Sequence, residues 1–261
     1  MTPVEQLEAA LRSPKSSTAL VAYLTAGWPT KEAFTGHLAN IAQVADAVEI
    51  GVPFSDPMAD GPTIQKTSQE ALANGVTLAW ILETLTGLEE RPPAPLLLMG
   101  YLNPFLAYGL ERLAVDARAA GISGFIVPDL PLDEAGSFSA TMATEGMGVV
   151  QLVTPVTPPD RRQQLLAASR GFTYAVTVTG ITGGDLGPQD GLMQSLASLR
   201  NEATTPVMAG FGIRQPAQVA ELAPHVDGVI VGSALLDCIR AGDDPVAFLS
   251  SLSSANREVS T

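Results

Sequence analysis

Short, uniformly apolar runs recur along this chain, and each gives way to a longer stretch whose apolar residues come three and four apart. The runs are ALVAYLT (19–25), 47–52, LLLMG (96–100), GFIVPDLP (124–131), GVVQLVTP (148–155), FTYAVTVTGITGG (172–184), PVMAGFGI (206–213) and DGVIVGSAL (227–235). None alternates polar with apolar, so each reads as a strand buried on both faces, as in a parallel sheet covered by helices. Helical spacing appears first at Val4, Leu7 and Leu11. It returns at Phe34, Leu38, Ile41 and Val44, where Thr30 stands as a cap. Further helices are predicted over 63–74, 77–88, 109–120, 133–145, 159–169, 190–201 and 215–222, with a last one after the eighth run. The tail SSLSSANREVST is polar and is expected to fray.

Eight strands alternating with helices in about 250 residues predict an α/β chain folded as a (β/α)8 TIM barrel. It carries a short N-terminal helix and an extra helix after strand two. LTAGWP after the first strand is not the GxGxxG of an open dinucleotide-binding sheet. With no composition shift or linker, residues 1–261 are expected to form a single domain.

Composition narrows the function more than the fold. Lys plus Arg number 14 against 27 Asp plus Glu, a net charge of −13, which speaks against gripping nucleic acid or an anionic membrane surface. No apolar run approaches the roughly 20 residues of a membrane span. MTPVEQLEAALRSPK has no basic segment followed by an apolar one, so a cytoplasmic protein is the expectation. One cysteine, Cys238, excludes an intrachain disulfide, and no metal-ligand spacing is present. His37 and His225 fall in helical segments or at their ends, away from the strand ends.

In such a barrel the chemistry sits at the C-terminal ends of the strands. Strand one brings Tyr23 and Thr25 there, and strand two brings Glu49, with Asp56 and Asp60 on its Pro/Gly-rich loop. Strand three brings Tyr101 and Asn103, strand four Asp129, and strand six Tyr174, Thr179 and Thr182. An ionised carboxylate inside an apolar strand is costly unless paired or neutral, so Glu49 is either a salt-bridge partner or a working acid/base. Asp60 is either the N-cap of the helix starting near Thr63 or the second member of an acid pair, and Asp56 suits a turn. Gly210-Phe211-Gly212 and Gly232-Ser233 close the last two strands, where this fold holds a phosphate on backbone amides. Glycines also end strands for steric reasons alone. Arg214 is expected to point away along the next helix, leaving a phosphate to amides and helix dipoles.

The stretch VEIGVPFSDPMADGPTIQ (48–65) resembles the signature of the tryptophan synthase alpha chain family. LTAGWP, VPDLP, TVTGITG, GFGI and VGSAL follow in the family's order from about residue 20 to 235. The resemblance implies a (β/α)8 barrel that cleaves indole-3-glycerol phosphate to indole and glyceraldehyde 3-phosphate by a retro-aldol step. It implies Glu49 and Asp60 as the catalytic pair, Glu49 moving protons at indole C3 and the glycerol hydroxyl, Asp60 stabilising the indole N–H. Tyr23, Ile64, Met99 and Ile126 would line the indole pocket, with Tyr174 bonded near Glu49 and Thr182 on a closing loop. Gly183, Phe211, Gly212, Gly232 and Ser233 would hold the phosphate. The partner implied is a tryptophan synthase beta chain in an alpha2beta2 heterotetramer, with pyridoxal phosphate in the beta chain and no cofactor here. Contact with that chain is expected through the loops after strands two and three.

Two departures stand out. The loop after TGITG reads GDLGPQD, acidic where many members are basic. Gly100 replaces a larger residue, which predicts a looser pocket wall at strand three. A stand-alone lyase releasing indole, and a non-catalytic barrel that activates a beta chain, are the alternatives.

Overall fold

The computed structural model describes residues 1–176, 189–210 and 212–253. Eight parallel strands close into a barrel in sequence order. They are β1 (Ala19–Thr25), β2 (Ala47–Gly51), β3 (Leu96–Met99), β4 (Ile122–Ile126), β5 (Gly148–Val153), β6 (Thr173–Val176), β7 (Val207–Gly210) and β8 (Gly228–Val231). β1 pairs with β8 to complete the ring. The helices described are α1 (Pro3–Arg12), α2 (Lys31–Val44), α3 (Pro62–Ala73), α4 (Leu78–Thr86), α5 (Leu102–Tyr108), α6 (Leu110–Ala119), α7 (Gly136–Thr144), α8 (Pro159–Ala168), α9 (Gln189–Glu202), α10 (Pro216–Leu222), α11 (Ser233–Ala241) and α12 (Pro245–Ser253). The expected (β/α)8 barrel is present, with its N-terminal helix and two helices after β2.

Strand side chains alternate between two cores. Leu20, Ala22, Leu24, Val48 and Ile50 face outward to pack with Phe34, Leu38 and Ile41 of α2. Ala19, Val21, Ala47, Leu97, Ile126, Val150, Phe172, Met208 and Ile230 face inward and are joined by Leu7 and Leu11 of α1. The short first helix is therefore the floor of the barrel. Thr2 and Glu5 cap it reciprocally. Val4 N–H donates to the Gly146 carbonyl at 3.1 Å, and Gly171 N–H donates to Glu8 at 3.0 Å. Gly171 has φ +89°, and a Cβ there would meet Leu7, so glycine is required on two counts.

Several boundaries differ from the sequence reading. YLNPF, where no helix was expected, opens α5. Pro104 is the third helical residue, where a missing N–H costs nothing because first-turn amides have no intrahelical partner. β4 begins at Ile122 and ends at Ile126, so VPDLP is loop rather than strand. β8 ends at Val231, and the apolar run continues as helix α11, since periodicity does not separate a buried strand from a buried helix start. Of the polar tail at 250–261, residues 250–253 belong to α12, with Leu252 buried, and the rest lies outside the described residues. No helix among the described residues is long and apolar enough to cross a membrane.

Candidate active site

Inward-facing positions near the strand C-termini break the apolar pattern of the floor. Tyr23 of β1 pairs in register with Glu49 of β2, and Glu49 with Leu97 of β3. Glu49 is 1% exposed, and neither carboxyl oxygen has a hydrogen-bond partner among the described residues. The salt-bridge alternative is thereby removed. Burial alone pushes its pKa up to about 8, because a carboxylate without water or a partner favours its neutral form.

Asp60 lies on the loop between β2 and α3. The capping alternative fails: Gly61 occupies the N-cap of α3, and no side chain caps it. The Asp60 carboxylate instead accepts a hydrogen bond from the Tyr101 hydroxyl at 3.2 Å. Burial raises its pKa to about 6, and the Tyr101 bond opposes that rise. The two acids are thus held on opposite sides of neutrality. Asp56 is exposed and accepts from Ser55 at 2.5 Å, while its carbonyl accepts from Met58 N–H, as a turn former would.

Tyr23 and Tyr174 complete the cluster. Burial lifts both phenols above their usual range, and each senses the charges of Glu49 and Asp60. Both rings depend on glycines in the next strand. A Cβ at Gly51 would collide with the Tyr23 hydroxyl, and one at Gly210 with the Tyr174 hydroxyl. Tyr174, expected to hydrogen-bond near Glu49, does not bond that carboxyl itself, though the charge of Glu49 acts on the phenol. Gly51 escaped the sequence reading, although a glycine two residues beyond a buried acid on an inward-facing register is the available signal.

The apolar residues fall in different environments. Met99 and Ile126 end β3 and β4 and touch the interior cluster, Ile126 fully buried and Met99 half-buried. Ile64 of α3 packs half-buried against the outer core. Thr25 reaches that helix too: its hydroxyl shares a 2.7 Å hydrogen bond with Thr67, whose hydroxyl bonds the Ile64 carbonyl at 3.0 Å. Gly100 does not loosen the wall. A Cβ there would lie 3.0 Å from both Phe105 Cζ and Val52 Cβ, so the space is already filled.

Across the mouth, Gly232 is the N-cap of α11 and Ser233 its first residue, and no side chain caps that end. Amides and a hydroxyl at a helix start form a suitable anion cradle. Gly212 has φ +49°, and nothing stands within 4 Å of where its Cβ would be. Arg214 is engaged elsewhere, paired with Asp237 at 2.9 Å, as expected of a residue that does not serve the cradle. Thr179, Thr182, Gly183, Phe211 and residues 184–188 of the GDLGPQD stretch lie outside the described residues, while Gln189 and Asp190 open α9.

Comparison with known proteins places these observations. A family model described as tryptophan synthase alpha chain matches residues 9–260. The tryptophan synthase alpha chain of Nitratidesulfovibrio vulgaris is 45% identical over 247 residues, covering 94% of this chain and 96% of that one. That of Geobacter sulfurreducens is 46% identical over 222 residues, covering 85% and 84%. Among solved structures, the tryptophan synthase alpha chain from Legionella pneumophila aligns with a TM-score of 0.87 at 30% identity, covering 100% of this chain and 99% of that one. A Mycobacterium tuberculosis tryptophan synthase chain aligns with a TM-score of 0.87 at 32% identity, covering 98% of each.

Proposed function

The chain belongs to the tryptophan synthase alpha chain family, and on that premise we propose that it cleaves indole-3-glycerol phosphate to indole and glyceraldehyde 3-phosphate. The observation that carries this reading is the buried Glu49 carboxyl, without a hydrogen-bond partner among the described residues, at the strand-end face that also holds an Asp60 of lower pKa. A buried polar group left unbonded within its own protein is costly, and a reacting substrate is what would offset that cost.

At pH 7 Glu49 is protonated and Asp60 is largely ionised. Glu49 gives its proton to indole C3, and positive charge appears on the ring nitrogen. Asp60 accepts a hydrogen bond from that N–H and stabilises the cation. Glu49, now a carboxylate, removes the proton of the neighbouring carbinol hydroxyl. The C3–C1′ bond breaks, its electrons return to the indole, and the carbinol becomes the aldehyde. Both protons are accounted for by one carboxyl group. Tyr23, Met99, Ile126 and Ile64 supply the apolar wall, and Gly212, Gly232 and Ser233, with Gly183 and Phe211, take the phosphate.

These steps are proton transfers that call for no cofactor on this chain. Pyridoxal phosphate belongs to the beta chain, with which this protein forms an alpha2beta2 assembly in the cytoplasm.

The test is indole release from indole-3-glycerol phosphate by purified protein, with and without a beta chain. Turnover is expected to rise with pH through about 6, as Asp60 ionises, and to fall through about 8, as Glu49 loses its proton. Asp60→Asn should reduce kcat on the order of a hundredfold and abolish the acid limb. Turnover that ignores the beta chain would favour the stand-alone lyase. No turnover, with beta-chain activation intact, would favour the non-catalytic subunit.

A further inference from the structure

Tyr101 was visible in the sequence as a residue beyond strand three, but its position in the fold gives it a task of its own. Three local features fix it. Asp129, on the loop after β4, accepts a hydrogen bond from Leu102 N–H at 2.9 Å, capping α5 from outside and pinning the backbone next to Tyr101. Gly100 lets the end of β3 lie close against Val52, whose N–H donates to the Met99 carbonyl at 2.7 Å. Phe54 stacks on the Tyr101 ring, centroids 5.2 Å apart and planes 29° apart.

So placed, one hydroxyl serves two ends of the Asp60 segment. It accepts from Ala59 N–H at 2.9 Å and donates to Asp60 Oδ2 at 3.2 Å. The phenol is 4% exposed as a residue and is held neutral by burial and by the nearby charge of Asp60, so it remains a donor. Tyr101 bonds Oδ2 alone, which leaves Oδ1 of the Asp60 carboxylate to face a ring N–H. Gln65 of α3 supports the same segment from the other side, its amide donating to the Asp60 carbonyl at 2.9 Å and the Pro57 carbonyl at 3.3 Å.

We infer that Tyr101 is a positioning residue for the cleavage reaction: it aims the Asp60 carboxylate and keeps it in the ionised, hydrogen-bond-accepting form. The inference rests on the reading of the site as an indole-3-glycerol phosphate lyase. The titratable groups that interact with Asp60 among the described residues are Tyr101, between β3 and α5, Tyr23 of β1 and Tyr174 of β6; Glu49 of β2 acts on the same two tyrosines, Tyr23 and Tyr174, and Asp129 acts on Tyr101 from the loop after β4. No cation contributes to the shift of Asp60 or Tyr101. The phenol is therefore the one group in that set that favours the carboxylate.

The experiment uses Tyr101→Phe, which keeps the ring and its stacking, and Phe54→Leu, which keeps the hydroxyl. Asp60 is titrated by 13C-carboxyl NMR in aspartate-labelled protein, its signal assigned by loss in Asp60→Asn. Tyr101→Phe should raise the proton affinity of Asp60 by about three- to tenfold. Phe54→Leu should leave it within about twofold. This arm does not require turnover, so it judges Tyr101 even if the lyase reading fails. In the lyase assay, Tyr101→Phe should lower kcat about two- to threefold at pH 6.5 with KM within about twofold, the deficit narrowing toward pH 8. Unchanged Asp60 titration, an equal shift in Phe54→Leu, or a loss of activity uniform across pH would overturn the inference.

Discussion

Two buried carboxylates stand three residues apart at β2 and are treated in opposite ways. Asp46, at the entry to the strand, is 3% exposed and accepts from Leu20 N–H and Lys15 N–H, both at 2.8 Å. Asp227, at the matching entry to β8, accepts from Val207 N–H at 2.8 Å and from Arg200 at 2.9 Å. These acids tie the lower ends of neighbouring strands together. Glu49, nearer the mouth, is 1% exposed and has no partner at all among the described residues. Burial alone therefore does not distinguish an architectural acid from a chemical one. Satisfaction does: at the floor every lone pair that matters is used by the fold, and at the mouth the fold leaves the carboxyl for something else.

The largest expected effect comes from removing the transferable proton of the unsatisfied member. Glu49→Gln should lower kcat about a thousandfold, since it abolishes both proton transfers. It should at the same time stabilise the protein, in a pH-dependent way. The folded pKa, about 8, lies above the ordinary 4.5, so the folded state holds the proton more tightly than the unfolded one. Stability from this group is complete below about 4.5 and lost as pH rises to about 8. The wild type should weaken across that window while Glu49→Gln does not, the gap reaching roughly 3–5 kcal/mol at most above pH 8. Urea unfolding of both proteins at pH 5 and pH 8.5 measures it, and an equal gap at the two pH values would refute the account.

The satisfied member should behave in the reverse sense. Asp46→Ala strands the N–H groups of Leu20 and Lys15, and is expected to cost about 1–3 kcal/mol of stability. Its kcat on indole-3-glycerol phosphate should stay within about twofold of wild type once the protein is folded. A loss of turnover without a loss of stability would mean that floor and mouth are not separable as described.

What the sequence disclosed follows the same division. The barrel was legible because eight uniformly apolar runs must bury both faces under intervening helices, and the lack of a dinucleotide fingerprint after the first run set the open sheet aside. Glu49 was legible because an acid inside VEIG contradicts its surroundings. The role of Asp60 was only half legible, since Asp-Gly-Pro-Thr reads equally as a helix cap, and the choice is made by Tyr101 arriving from another loop. α5 was missed because Pro104 looks like a helix breaker unless its place in the first turn is known. The looser wall expected at Gly100 was wrong for a related reason, because Val52 and Phe105 fill that space from elements far away in sequence. Contacts between loops leave no periodic trace along the chain.

The smallest effect tests whether the mouth is shaped by what it omits. Gly51 follows Glu49 by two residues and faces the same interior, and its missing side chain is where the Tyr23 hydroxyl sits. Gly36, in α2, has nothing within 4 Å of its would-be Cβ. Gly36→Ala should be neutral or stabilising by about 0.5–1 kcal/mol, the helix-propensity difference. Gly51→Ala adds the same single carbon, but Tyr23 must swing away, carrying its ring off the β1 side of the pocket and out of register with Glu49. kcat/KM should fall about tenfold, equivalent to about 1.4 kcal/mol in transition-state binding. Tyr23→Leu in the Gly51→Ala background should recover part of that loss, because it deletes the hydroxyl and the ring carbons Cζ and Cε2 that the new Cβ would meet while keeping an apolar side chain. If the double variant is no better than Gly51→Ala alone, the glycine serves the strand and not the tyrosine.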